Sequence, residues 1–169
     1  MPRDYYDLTD HGRRNRLRVV AAAALGGYDL DVVRMRGLTD ATNGVFRLDT
    51  SDGARYAMRV GLGPPVGHSP EEFASEMEWI HALARGTDVV VPDPVPTRTG
   101  EYMTFAGAPY VPHQRPCAVF TWLEGPQLAD RLSETSMHAY GATMAKMHAF
   151  AAVFEPSPGF TAPSYDRVY

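Results

Sequence analysis

Two extended segments joined by an Asp-Gly turn restrict the fold more than any other feature of the sequence. Residues 45–50 and 55–60 alternate apolar and polar side chains, and Ser51-Asp52-Gly53-Ala54 lies between them. Alternation with a period of two is typical of a strand with one buried face. Asp-Gly favours the tight hairpin turn in which both central residues have positive φ. The sequence therefore predicts an antiparallel β-hairpin at these positions.

A second strong signal marks the start of a helix. Ser69, Pro70 and Glu72 supply in order a capping hydroxyl, a proline at the first helical position and the carboxylate of a capping box. Apolar side chains follow at helical spacing, at Phe73, Met77, Ile80 and Ala84. We expect this helix to end at Gly86.

The remaining segments complete an α+β order. Their patterns predict helices at 10–25 and 137–154, and strands at 30–35, 101–105 and 117–123. Residues 89–95 contain Pro92 and Pro94, so they can form only an edge strand or an extended connection. We expect a two-layer α+β domain, in which one helix packs across a five-stranded antiparallel sheet. An N-terminal helix precedes this unit, and the last helix begins a further structure.

Charge and composition exclude several classes of function. The net charge is −4, and no basic stripe could neutralise several phosphates, so we expect no nucleic-acid partner. No apolar run approaches the ~20 residues of a membrane helix, and no signal-peptide core precedes Arg13. We therefore expect a cytoplasmic protein without a membrane partner. Cys117 is the only cysteine and the six histidines lack zinc-ligand spacing, so we expect no metal site in this chain.

Three elements carry residues suited to a ligand. Thr42, Asn43 and Gly44 form a turn of small or αL-tolerant residues, which would let backbone N–H groups approach a phosphate. An ordinary strand connection uses the same residue types.

The other two elements are a strand and a helix. Alternation places Ala57 and Arg59 on one face of their strand, where a flat base would fit over the alanine with phosphates beside the arginine. Glu76 lies in the middle of the predicted helix, where it would pair with Arg59. An exposed strand arginine and a solvated helix glutamate are the alternatives.

In their order along the chain, these elements resemble the nucleotide-binding lobe (N-lobe) of kinase-like phosphotransferases, in particular the aminoglycoside phosphotransferase and homoserine kinase-like family. The resemblance covers about residues 38–159. It rests on the Asn43-Gly44 turn, the hairpin, the strand cation, the helix glutamate and an apolar strand that ends in Leu123-Glu124-Gly125. Residues 141–148 are also similar to the family's helix after the hinge. The resemblance implies an N-lobe at 1–120, a hinge at 121–125 and the start of a C-terminal lobe at 126–169.

The resemblance also implies an ATP site. In the family, a cation on this strand contacts the α- and β-phosphates and pairs with a glutamate on the following helix. Arg59 and Glu76 occupy these two positions in this sequence. The carbonyl of Thr121 would accept a hydrogen bond from the adenine amino group, and the N–H of Leu123 would donate to the ring. Ala57 would lie against the base, and the turn at 42–44 would cover the phosphates.

Two departures from the family pattern limit what the chain would do. The cation is Arg59, whereas the family most often has lysine. No histidine is followed two residues later by aspartate, and only Asp130 and Asp166 lie beyond the hinge. We therefore expect no catalytic residue in this chain. Mg²⁺ and a small-molecule acceptor would be held only by a missing catalytic lobe.

Two functional hypotheses follow. The first is an ATP-dependent phosphotransferase, acting on a hydroxyl group and lacking its catalytic half. The second is a non-catalytic nucleotide-binding or dimerising module, which would self-associate through the apolar stripe of helix 137–154. A plain α+β interaction domain without nucleotide binding is a third possibility.

Overall fold

The computed structural model describes residues 4–39, 43–63 and 69–162. The helices and strands of this part follow the predicted order of helix, three strands, helix, two strands and helix. In chain order they are α1 (Asp10–Leu25), β1 (Val32–Thr39), β2 (Gly44–Thr50), β3 (Arg55–Val60), α2 (Pro70–Gly86), β4 (Thr104–Ala106), β5 (Arg115–Thr121) and α3 (Glu134–Ala151). A short 3₁₀ helix at Leu128–Arg131 precedes α3.

The five strands form one antiparallel sheet in the order β1-β2-β3-β5-β4, which confirms the predicted fold class. The hairpin of β2 and β3 is also confirmed, but its turn differs from the prediction. Only Gly53 has positive φ in this turn, at 83°. Its N–H donates to the carbonyl of Thr50, and the N–H of Thr50 donates to the carbonyl of Ala54. These bonds close a longer loop than the two-residue turn, and such a loop needs only one left-handed residue.

Several boundaries shift because of capping and pairing. Ser69 caps α2 with the predicted capping box, whereas α3 starts three residues earlier than expected because Ser133 caps it. The segment 89–95 is an extended connection beside β5. The N–H of Val95 donates to the carbonyl of Val119 at 2.8 Å, and the N–H of Thr121 donates to the carbonyl of Asp93 at 2.9 Å.

The sheet buries both of its faces, so the domain has three layers rather than the predicted two. One face packs on α1 through a core that includes Leu17, Val20, Ala24, Phe46, Leu48, Met58, Val60, Cys117 and Val119. The opposite face packs on α2 through Phe73, Met77, Ala118 and Phe120. The apolar stripe of α1 was visible in the sequence. The alternation of β2 and β3 left a complementary apolar face, which this stripe covers.

In the described part of the chain, no helix is long and apolar enough to cross a membrane.

Truncating one buried and one exposed leucine tests this arrangement. Leu48 is 0% exposed in β2, and Leu38 is 50% exposed in β1. Leu48→Ala should lower the free energy of unfolding by about 2–5 kcal/mol, because it leaves a cavity between the sheet and α1. The matched variant Leu38→Ala should cost less than about 1 kcal/mol. Urea denaturation of both variants measures this difference, and equal losses would contradict the described core.

Alkaline pH should destabilise the core through two buried acids. Burial raises the pKa of Cys117 from 9.0 to about 12, and it raises the pKa of Tyr28 from 10.0 to about 12. Both groups hold their protons more tightly in the folded than in the unfolded chain. Their contribution to stability is therefore complete below about pH 9 and is lost as the pH rises towards about 12.

Urea denaturation at several pH values checks this expectation. Between about pH 8 and about pH 10.5, Cys117→Ala should lose less stability than the wild type, because the variant lacks one of these protons. Parallel pH dependence of the two proteins would show that Cys117 titrates normally in the fold.

Candidate active site

Arg59 of β3 and Glu76 of α2 form the central contact of the candidate site. Arg59 Nη1 donates to Glu76 Oε1 at 2.6 Å, and Nη2 donates to Oε2 at 2.7 Å, although the residues are 17 positions apart. Two parallel bonds of this kind fix both the distance and the plane of the two groups. The side chains are 18% and 35% exposed. The predicted partly exposed pair is confirmed.

Aromatic rings determine where this guanidinium lies. Its central carbon is 4.3 Å from the ring centre of Phe73 and 5.6 Å from that of Phe120. Arg59 also faces Ala118 across the β3–β5 register, and this small side chain leaves space for the arginine to reach α2. Arg59 Nε is buried, and no described residue hydrogen-bonds to it. The charge is therefore held on the α2 face of the sheet between apolar walls.

Ala57 lies two residues before the arginine and on the same face, as predicted. It pairs with Phe120 of β5 and with Arg47 of β2, and it packs against the α2-side core. Arg47 was not predicted as a site residue. The alternation of β2 could have identified it, because Arg47 is the polar position directly opposite Ala57 once the hairpin register is known.

Residues 121–125, the predicted hinge, are bonded to the rest of the domain at their first residue. Thr121 Oγ1 accepts a hydrogen bond from the N–H of Asp93 at 2.9 Å. The carboxylate of Asp93 bonds to His81 Nδ1 at 2.8 Å and pairs with Arg85 at 3.2 Å, and both partners belong to α2. Leu123 is 41% exposed, and none of the hydrogen bonds among the described residues uses its N–H.

Trp122 contacts the hairpin through Arg47 of β2. The guanidinium of Arg47 lies over its ring, 5.4 Å from the centre, and also donates through Nε to Asp49 at 2.8 Å. This hydrogen bond is the main reason that the pKa of Asp49 is lowered. Trp122 Nε1 is buried without a hydrogen-bond partner among the described residues. Arg55 of β3 and Glu124 form an ion pair beyond it.

The turn predicted to cover phosphates is only partly described. Thr42 lies outside the described residues, Asn43 is half-buried, and Gly44 is buried at the start of β2. A Cβ on Gly44 would lie 2.9 Å from Leu17 Cδ1. The structure thus gives Gly44 a packing reason to be glycine, which is the close approach of α1. Its proposed contact with phosphate stays a prediction.

The fold and the paired cation define a kinase-like N-lobe, and comparison with known proteins agrees. The sequence model of the phosphotransferase enzyme family matches residues 35–167, and the chain therefore belongs to that family. The resemblance stated from the sequence is confirmed. A comparison with curated protein sequences gives no match.

Three solved structures are similar to the chain. A microcompartment-associated aminopropanol kinase shares 25% identity with a TM-score of 0.73, over 88% of this chain and 45% of that protein. An amicoumacin kinase in complex with AMP-PNP, Ca²⁺ and Ami shares 18% identity with a TM-score of 0.66, over 89% and 44%. An aminoglycoside phosphotransferase from Alicyclobacillus acidocaldarius shares 18% identity with a TM-score of 0.53, over 80% and 37%. The chain thus spans less than half the length of each.

A double-mutant cycle tests the strength of the central contact. Arg59→Ala and Glu76→Ala should show a coupling free energy of unfolding of about 1 kcal/mol, because the pair is bidentate and partly shielded. The cycle for Asp10 and Arg13, an ion pair on the surface of α1, serves as the control and should give about 0.5 kcal/mol or less. Urea denaturation supplies all the values. Equal coupling in the two cycles would show that the shielded geometry adds nothing.

Proposed function

We propose that this chain binds ATP between its sheet and its hinge, as the N-lobe of an ATP-dependent phosphotransferase that acts on a hydroxyl group of a small molecule. The observation that carries the proposal is the bidentate Arg59–Glu76 pair between Phe73 and Phe120. It lies where the family resemblance puts the cation that contacts the phosphates. An arginine that one carboxylate holds in position can still contact a polyanion, because its guanidinium carries five N–H donors and Glu76 engages only two of them.

Each candidate residue has a role in this proposal. Arg59 neutralises the α- and β-phosphates, and Glu76 holds it in position. Ala57 leaves room for the flat base, as an aromatic side chain at this position would not. The N–H of Leu123, which is free of hydrogen bonds to described residues, donates to the adenine ring. The carbonyl of Thr121 accepts from the adenine amino group.

The reaction also needs a cover for the phosphates, a metal ion and an acceptor. The turn at 42–44 would cover the phosphates. The candidate residues offer no free carboxylate for Mg²⁺, since Glu76 is engaged by Arg59, so a C-terminal lobe would hold the metal and the acceptor. Phosphoryl transfer depends mainly on positioning and charge stabilisation. This chain would supply the part of the site that positions the nucleotide. Use of ATP would place the protein in the cytoplasm.

A second candidate function is a dimerising nucleotide-binding module. Helix α3 has no buried residue, and Met137 and Tyr140 are about half exposed on it. Exposed apolar side chains grouped on one helix are typical of a contact surface. Light scattering at increasing protein concentration distinguishes a self-associating chain from a monomer.

Nucleotide binding is tested by the thermal shift that ATP produces. Saturating ATP should raise the melting temperature of the wild type, because a ligand at about 100 times its Kd stabilises the folded state by about 2.7 kcal/mol. Arg59→Ala should remove most of this shift, whereas Arg34→Ala, at an exposed arginine of β1, should retain it. A wild type that does not respond to ATP would contradict the proposal.

Phosphotransfer by the purified chain should not be detectable. No histidine in the sequence is followed two residues later by aspartate, which is the family's arrangement for the catalytic base. The assay incubates the chain with labelled ATP, Mg²⁺ and a panel of small alcohols and aminoglycosides. Steady transfer of label to any acceptor would show that the chain contains its own catalytic base.

A further inference from the structure

The segment that follows α3 folds back over α2 and is bonded to it at two points. We call residues 152–161 the strap. The N–H and Oγ of Ser157 donate to the two carboxylate oxygens of Glu78, at 2.7 and 2.6 Å. The N–H of Thr161 donates to Ser75 Oγ at 2.9 Å, and this hydroxyl donates in turn to the carbonyl of Glu71 at 2.8 Å.

The two anchoring residues of α2 lie on either side of Glu76 in the sequence. Residues three apart on a helix share a face, so Ser75 and Glu78 both point to the strap. Glu76 lies about 100° around the helix from Ser75, and its carboxylate points to Arg59. Within a single turn, α2 is therefore bonded to the strap on one side and to β3 on the other.

Aromatic packing joins the strap to the same helix. The ring of Trp79 lies 5.1 Å from that of Phe154 and 5.5 Å from that of Phe150, measured between ring centres. Phe154 also contacts Phe160, at 5.6 Å. Phe150 occupies the space in which a side chain at Gly86 would lie, because a Cβ there would be 2.5 Å from its ring. The end of α3, from which the strap continues, thus packs closely against the end of α2.

The middle of α2 is not fully enclosed on the side of the strap. A cavity of about 480 Å³ lies between α2, the segment before β4 and the strap, and its lining includes Met77, His81, Tyr102 and Phe154. The cavity is open to solvent, so this side of α2 is only partly covered by protein atoms. Here the hydrogen bonds of the strap add to the sheet contacts and the Arg59–Glu76 pair that already hold the middle of α2.

We propose that the strap is a positioning element of the nucleotide site, which holds α2 where Glu76 reaches Arg59. Ser157 and Phe154 are its main positioning residues, the first through Glu78 and the second through Trp79. The proposal rests on the proposed function, since the consequence of correct positioning is tighter binding of ATP. Neither residue belongs to the candidate nucleotide-binding set.

Two measurements on the full chain test the strap. Hydrogen exchange of the α2 amides, without nucleotide, reports how firmly the helix is held. Isothermal titration calorimetry with ATP measures the affinity of the nucleotide site. Ser157→Ala and Phe154→Ala should each speed exchange across α2 and weaken ATP binding about three- to tenfold, the effect of losing about one net hydrogen bond or contact. Ser157→Thr keeps the hydroxyl and should bind like the wild type, as should Ser51→Ala in the β2–β3 turn.

The route through Glu76 is tested by combining variants. In a Glu76→Ala background, Ser157→Ala should weaken ATP binding by less than about twofold, because the group that the strap positions is already absent. Full additivity of the two substitutions would overturn the proposal, since the strap would then act elsewhere.

The outcomes separate the two proposals. Unchanged α2 exchange in both strap variants would overturn the strap, whatever ATP does. Faster exchange with unchanged ATP affinity would overturn its role in the nucleotide site. If the wild type does not bind ATP while strap variants still loosen α2, the proposed function and the strap's positioning role are overturned. The strap would then be a stabilising element of the fold only.

Discussion

The two parallel hydrogen bonds between Arg59 and Glu76 join the sheet to the helix that lies across it. Removing two charges from water has a desolvation cost that a single ion pair seldom offsets fully, so the contact is a weak source of stability. The contact instead fixes the relative orientation of the two elements. A planar fork meets a planar carboxylate in one orientation, and this orientation sets the rotation of α2 about its axis. The contacts of Arg59 with the rings of Phe73 and Phe120 depend on the same alignment.

The position of the predicted hinge follows from β5, in which every residue but the last is buried. Residues of β5 pack alternately on α1 and on α2, so the strand cannot slide without disrupting both cores. At its end, Thr121 is bonded to Asp93, and the Asp93 carboxylate is bonded to His81 and Arg85 of α2. The same helix therefore contacts Arg59 directly and, through Asp93, the first residue of the predicted hinge. This arrangement explains why a shift of α2 would alter both.

Sequence patterns identified the parts of this structure that local chemistry determines. Alternation gave the hairpin and the shared face of Ala57 and Arg59, and Ser69, Pro70 and Glu72 gave the start of α2. Patterns of this kind specify neither the number of layers nor contacts between distant segments. The apolar stripe of α1 did not say which surface it would cover, and the bonds from Ser157 to Glu78 had no local signal. Gly44 shows a related limit, because its fit against Leu17 depends on a helix far away in the sequence.

The family match begins at residue 35, whereas α1 ends at Leu25 and covers one entire face of the sheet. A recombinant fragment trimmed to the matched boundary would therefore begin inside β1. It would leave the side chains of Phe46, Leu48, Met58 and Val60 in contact with water. Such a fragment would be expected to aggregate on expression even though every recognisable family residue is retained. For this protein, the hydrophobic core of the domain extends beyond the part that the family model matches.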